Sequence, residues 1–205
     1  LTMQAHVAGA HACEVRQLTV ASQASRVMRL QVTAYLPIAL NHPAAHAAHP
    51  AFSKLFVQTQ WRDDVQALVA RRRPRAAGER APCVAAKLLG PGEVRWDSDR
   101  ARFLGRGWGL AKPQGVVEGL AGHESNVLDP AFALQRTLVI NAGQSAALTL
   151  VMGAAESSDE AAALMALPLE ALAPGNTGVE PALQSLAGAM FYAWPGVAAP
   201  AAVRT

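Results

Sequence analysis

Between residues 27 and 36 apolar and polar side chains alternate without a break: Met28, Leu30, Val32, Ala34 and Leu36 fall on one side, and Arg29, Gln31, Thr33 and Tyr35 on the other. A period of two belongs to a strand with one buried face, and a helix would scatter both sets around its circumference. The preceding segment 14–20 is rich in β-formers, and the polar residues 21–26 would join the two as an antiparallel hairpin. Residues 134–140 alternate again, Asn141-Ala142-Gly143 supplies a turn, and Leu148, Leu150 and Met152 continue the period over 146–152. This is the clearest hairpin signal in the chain. With further strand-like stretches at 54–60, 65–71 and 82–89 and turn residues between them, the expected class is mainly β, an antiparallel β-sandwich.

Helical signals come late. Ser157 and Ser158 precede Asp159 and Glu160 and then an alanine and leucine run that stops near Pro168, as a capped helix does. A second helical stretch is expected over 180–192, opened by Pro181. The division that follows is a sandwich over 1–155 and a helical linker and tail over 156–205. The segment 41–50, rich in Pro, His and Ala, and the glycine-rich segment 105–122 are expected to be loops.

A chain of 205 residues can bury a sizeable apolar core. Much of its hydrophobic share of 51% is alanine, and runs such as 146–155 are too short to cross a bilayer, so no membrane contact by this segment is expected. Leu1 opens the sequence and the first residues lack the basic and apolar regions of a secretory signal, which reads as a piece of a larger chain. Cys13 and Cys83 lie far apart and outside any metal or disulfide spacing, which fits a reducing, cytoplasmic compartment.

The net charge is +3, and Arg71, Arg72, Arg73 and Arg75 form the obvious basic cluster. It is short, has no interleaved aromatics and borders Pro74 and Gly78, so a solvated strand end is expected and not a nucleic-acid surface. His42, His46 and His49 would share a helix face, but Pro43 and Pro50 interrupt that helix and no acidic or cysteine ligand is near, so no metal and no cofactor are expected. Gly105, Gly107 and Gly109 lack the Lys and Ser/Thr of a phosphate loop. Glycoside chemistry requires paired carboxylates, or an acid opposite a bound nucleophile. Asp97 with Asp99 and Asp63 with Asp64 are the candidates, and their neighbours favour capping and ion pairing. Ser53, Ser125 and Ser145 sit in no nucleophile elbow, so no catalytic residue is assigned. Of the tryptophans, Trp61 and Trp96 suit a sheet, and Trp108 suits an exposed position able to stack on a sugar ring.

Three stretches together resemble the carbohydrate phosphorylase region of cyclic β-1,2-glucan synthases, in glycoside hydrolase family 94. The first is His49-Pro50-Ala51-Phe52-Ser53-Lys54-Leu55-Phe56-Val57 followed by Ala70-Arg71-Arg72-Arg73-Pro74-Arg75. The second is Asp99-Arg100-Ala101-Arg102-Phe103-Leu104-Gly105-Arg106-Gly107, with Leu128-Asp129-Pro130 before the last hairpin. The third is Gly153-Ala154-Ala155-Glu156 together with Leu186-Ala187-Gly188-Ala189-Met190-Phe191-Tyr192.

The resemblance implies a galactose mutarotase-like super-sandwich that in the family begins with strands upstream of Leu1 and leads through a helical linker to an (α/α)6 barrel. In the family the general acid and the phosphate-binding residues belong to that barrel. A non-catalytic, carbohydrate-associated role is therefore implied for this chain, within a bacterial, inner-membrane-associated enzyme that builds β-1,2-glucan and trims it by phosphorolysis. Its partners would be β-1,2-glucan or the barrel, and an exposed sheet edge would offer a route to association with a second copy. The alternatives are a free-standing carbohydrate-binding module and an inactive scaffold. Asp99, Arg100, Arg102, Arg106 and Trp108 are the expected carbohydrate-binding residues, on one loop that concentrates Arg, Gly and Trp.

Overall fold

The computed structural model describes residues 1–79, 81–174 and 190–195. The chain begins with strands β1 (Thr2–Val7), β2 (Cys13–Ala21) and β3 (Met28–Pro37), followed by two short helices, α1 (Pro43–Ala48) and α2 (Pro50–Lys54). Strands β4 (Val57–Arg62), β5 (Ala67–Arg72), β6 (Cys83–Leu89) and β7 (Arg95–Asp99) precede α3 (Arg100–Leu104) and α4 (Gln114–Glu118). The long strands β8 (Pro130–Ile140) and β9 (Ser145–Ala155), helix α5 (Ser158–Ala166) and strand β10 (Met190–Pro195) follow. Two antiparallel sheets result, one of six strands in the order β1-β2-β9-β6-β5-β4 and one of four in the order β10-β3-β8-β7.

The alternating faces meet between the sheets. Val32, Ala34, Leu36, Leu134 and Leu138 from the four-stranded sheet pack against Leu18, Leu68, Val84, Leu148, Leu150 and Met152 from the six-stranded one. Both outer faces are covered as well. Helix α5 lays Ala161 and Met165 on Val15, Val69, Ala85 and Val151, and α3 and α4 lay Phe103 and Val116 on Tyr35, Ala131 and Ala133. The architecture is thus four layers, with one helical cover on each sheet. The polar side of residues 27–36 is accordingly not all in water: Thr33 is fully buried and Tyr35 is 1% exposed, the tyrosine ring stacked on Phe103 at 4.6 Å.

Both expected hairpins are absent, although their strands are present. β2 pairs with β1 and β9, and β3 pairs with β8 and β10, so the connection between β2 and β3 passes from one sheet to the other. The connection between β8 and β9 makes the same passage, and the two are tied by the Ser22 amide donating to the Gln144 carbonyl at 2.8 Å. Two bent segments therefore run antiparallel to each other through both sheets, Cys13 opposite Gly153 at one end and Pro37 opposite Ala131 at the other. Alternation marks a buried face and is silent on which strand lies alongside.

Other expectations shift locally. The segment 41–50 is helical because Pro43 and Pro50 each sit in a first turn, where the missing N–H costs nothing, and the His42 ring caps α1 by accepting from the Ala44 amide at 3.3 Å. The predicted helix after Ser157 forms as α5, its cap made by the Ser157 hydroxyl on the Glu160 amide at 3.2 Å. Of the second predicted helix, residues 180–189 lie outside the described residues, and 190–192 belong to strand β10, paired with β3. Within the arginine cluster, Arg72 is buried and ion-paired with Glu79, so that end of β5 is not wholly solvated. No helix among the described residues is long and apolar enough to cross a membrane.

The candidate carbohydrate site

Helix α3 starts where β7 ends because Asp99 caps it, accepting from the Ala101 amide at 2.9 Å and the Arg102 amide at 3.4 Å. The expected loop 99–109 is therefore a helix over its first half, followed by a turn in which the Trp108 amide donates to the Gly105 carbonyl at 3.4 Å. Arg100 looks back into the molecule, with Nε donating to the Tyr35 hydroxyl at 3.0 Å and Nη1 to Asp129 at 2.9 Å. Burial works against its charge, but the bonds to Asp129 and the Tyr35 oxygen hold the Arg100 guanidinium above its ordinary value. Lys54 joins the same carboxylate, so Asp129 ties α2, α3 and the start of β8 together.

The five expected residues thus divide. Asp99 and Arg100 are engaged in holding α3, while Arg102 and Arg106 line a cleft of about 390 Å³ between α3, α4 and the segment that follows α4. Trp108 stands on the next turn, 39% exposed, with the Lys112 ammonium 5.4 Å from its ring centroid. The rings of Trp61 and Trp96 stack on each other at 5.0 Å and pack against the inter-sheet core, as expected for sheet tryptophans.

Close approach of the two helices builds the cleft. A Cβ on Gly105 would fall 2.1 Å from Oε1 of Gln114, and one on Gly115 would fall 2.9 Å from the Phe103 ring. The floor is Asp97, 3% exposed, whose Oδ1 accepts from the Asp99 amide at 2.9 Å and whose Oδ2 lies 2.8 Å from Nδ1 of His123. Gln114 donates to Glu118 across the first turn of α4 at 2.6 Å. His123, Gln114 and Glu118 are site residues that sequence reasoning missed. His123 meets Asp97 only because the segment after α4 runs along β7, with the Ser98 amide donating to the His123 carbonyl at 2.9 Å and the Gly122 amide to the Trp96 carbonyl at 2.9 Å.

The remaining glycoside candidates are engaged in the β4–β5 turn. Asp63 accepts from the Gln66 amide group at 2.8 Å, and Asp64 forms a two-point pair with Arg62 that holds its carboxyl below the usual range.

Two antiparallel sheets packed face to face, each roofed by helices, with a cleft on the outer cover of the smaller sheet, define a helix-covered β-sandwich. The chain belongs to the glycosyl hydrolase 94 supersandwich domain family, which it matches over residues 1–167. It is also similar to the cyclic beta-(1,2)-glucan synthase NdvB of Rhizobium meliloti, at 29% identity over 144 residues. That alignment covers 67% of this chain and 5% of the synthase, so the chain spans a small fraction of its curated relative.

Proposed function

We propose that this domain is the non-catalytic, carbohydrate-contacting sandwich of an enzyme of the cyclic β-1,2-glucan synthase type. In this role it shapes the glucan site of a separate catalytic barrel that trims chain length by phosphorolysis. The observation that carries this reading is the engagement of the candidate carboxylates. Inverting phosphorolysis needs an acid poised on the glycosidic oxygen. Asp97 is buried with both oxygens bonded, Asp99 caps α3, Asp64 is paired with Arg62, and Asp129 binds Lys54 and Arg100. The domain contributes contacts, and the acid comes from elsewhere.

Incubation of the chain with linear β-1,2-glucan and inorganic phosphate should release no glucose 1-phosphate above a boiled blank. Sustained, heat-sensitive release would overturn the proposal. A free-standing binding module is favoured by one observation, the exposure of Trp108. That reading requires quenching of Trp108 fluorescence by glucan, lost in Trp108→Ala.

A further inference from the structure

The cleft beside α3 and α4 presents two guanidiniums, Arg102 and Arg106, two carboxylates, Asp97 and Glu118, the His123 imidazole and the Gln114 amide. With histidine neutral its formal charge sums to zero. A site for phosphate or another anion would gather cations without carboxylates, because a nearby carboxylate repels what the arginine attracts. Hydroxyl groups both give and take hydrogen bonds, so a wall that mixes donors and acceptors suits a polyol. The volume of about 390 Å³ lies within the roughly 300–1,000 Å³ of small-molecule sites.

His123 is set up as the anchor. An ionised carboxylate can only accept, so Asp97 places a proton on Nδ1 of the ring, and in the neutral imidazole Nε2 is then the acceptor. Nε2 makes no bond among the described residues, and the side chain is 33% exposed. The buried carboxylate, itself bonded to the Asp99 amide, fixes the ring's orientation before any ligand arrives. Around it, Oε1 of Gln114 and the second oxygen of Glu118 remain as acceptors, because their bond to each other uses only the Gln114 NH₂ group and one Glu118 oxygen. Arg102 supplies donors, 60% exposed and, among the described residues, held by a long 3.8 Å contact to Asp99.

We propose that this cleft is a subsite for an uncharged saccharide, in which the Asp97-oriented imidazole of His123 accepts from a sugar hydroxyl while Arg102 and Arg106 donate to others. The inference rests on the carbohydrate reading above and names the place and the ligand chemistry. The ¹⁵N-labelled chain, titrated to millimolar concentration with the β-1,2-linked glucose disaccharide, should show amide shifts grouped at Ala101, Gly105, Gly115, Gly119 and His123. His123→Ala should weaken binding about tenfold, with Arg102→Ala as the variant whose exposed side chain leaves the fold intact and whose binding should also fall several-fold. Inorganic phosphate and glucose 1-phosphate serve as charged competitors. The proposal is overturned by an absence of shifts with the disaccharide, by shifts confined to other regions, by undiminished binding in Arg102→Ala, or by phosphate binding the same amides more tightly than the sugar. Failure here leaves the phosphorolysis result untouched, and glucose 1-phosphate release would overturn the earlier proposal without bearing on these shifts.

Discussion

Cys13 shows how a single buried group records the state of the fold. It sits in the cluster beneath α5, and burial pushes its thiol up from 9.0 to about 11. In the unfolded chain the thiol loses its proton near pH 9, whereas the native state holds it longer, so the contribution to stability is complete below pH 9 and is lost as the pH rises toward 11. Urea midpoints measured on either side of that window should fall further for the parent chain than for Cys13→Ala. Equal losses in both would remove Cys13 as the cause. Cys83, pushed up by burial in the same cluster, should likewise react slowly with a disulfide reagent at neutral pH until urea opens the sheet.

At the scale of elements, α4 is positioned by the absence of a side chain. A Cβ at Gly115 would meet the Phe103 ring at 2.9 Å and Leu120 at 3.0 Å. Alanine is the better helix former by about 1 kcal/mol, but overpacking costs typically about 1–3 kcal/mol. Gly115→Ala should therefore lower stability in chemical denaturation, and a net gain would show that α4 floats free of Phe103. The strands with one buried face, and α5 with its serine cap, were legible in the sequence because burial and capping leave local patterns. β1 was not, since every residue except His6 is exposed and an edge strand held by backbone bonds has no alternation to read. β7 was not either: Asp97 and Ser98 are buried polar residues satisfied by the segment after α4, and in sequence they look like a turn. Within the site, Arg102 and Arg106 stood out through their glycine-rich surroundings. His123 carried no local signal, because its partner is reached only through the fold.

At the scale of the whole molecule, the segment after α4 sews the two sheets together between β4 and β7. Thr59 on β4 exchanges backbone bonds with Ser125 at 3.1 and 2.8 Å, the Trp61 amide donates to Glu124, and the same segment runs along β7. The buried Thr59 and Ser98 hydroxyls meet directly between the sheets at 2.6 Å. The amides of Thr59, Ser98, Gly122 and Ser125 should therefore exchange with solvent as one protected group, well after those of β1. Independent, rapid exchange of Ser125 would show that the seam opens without the sheets.

The paired bends at 13–37 and 131–153 impose an order on assembly. Neither sheet can be completed until a stretch near one end of the described fold finds a stretch more than half the chain away, and closing so long a loop is the slow event of folding for topologies built on distant contacts. On a ribosome making the chain from its amino end, β2 and β3 would emerge early and wait, with their apolar faces exposed, until β8 and β9 were made. The hydrophobic residues that most clearly announce this fold are thus the ones the cell must shield longest while it forms.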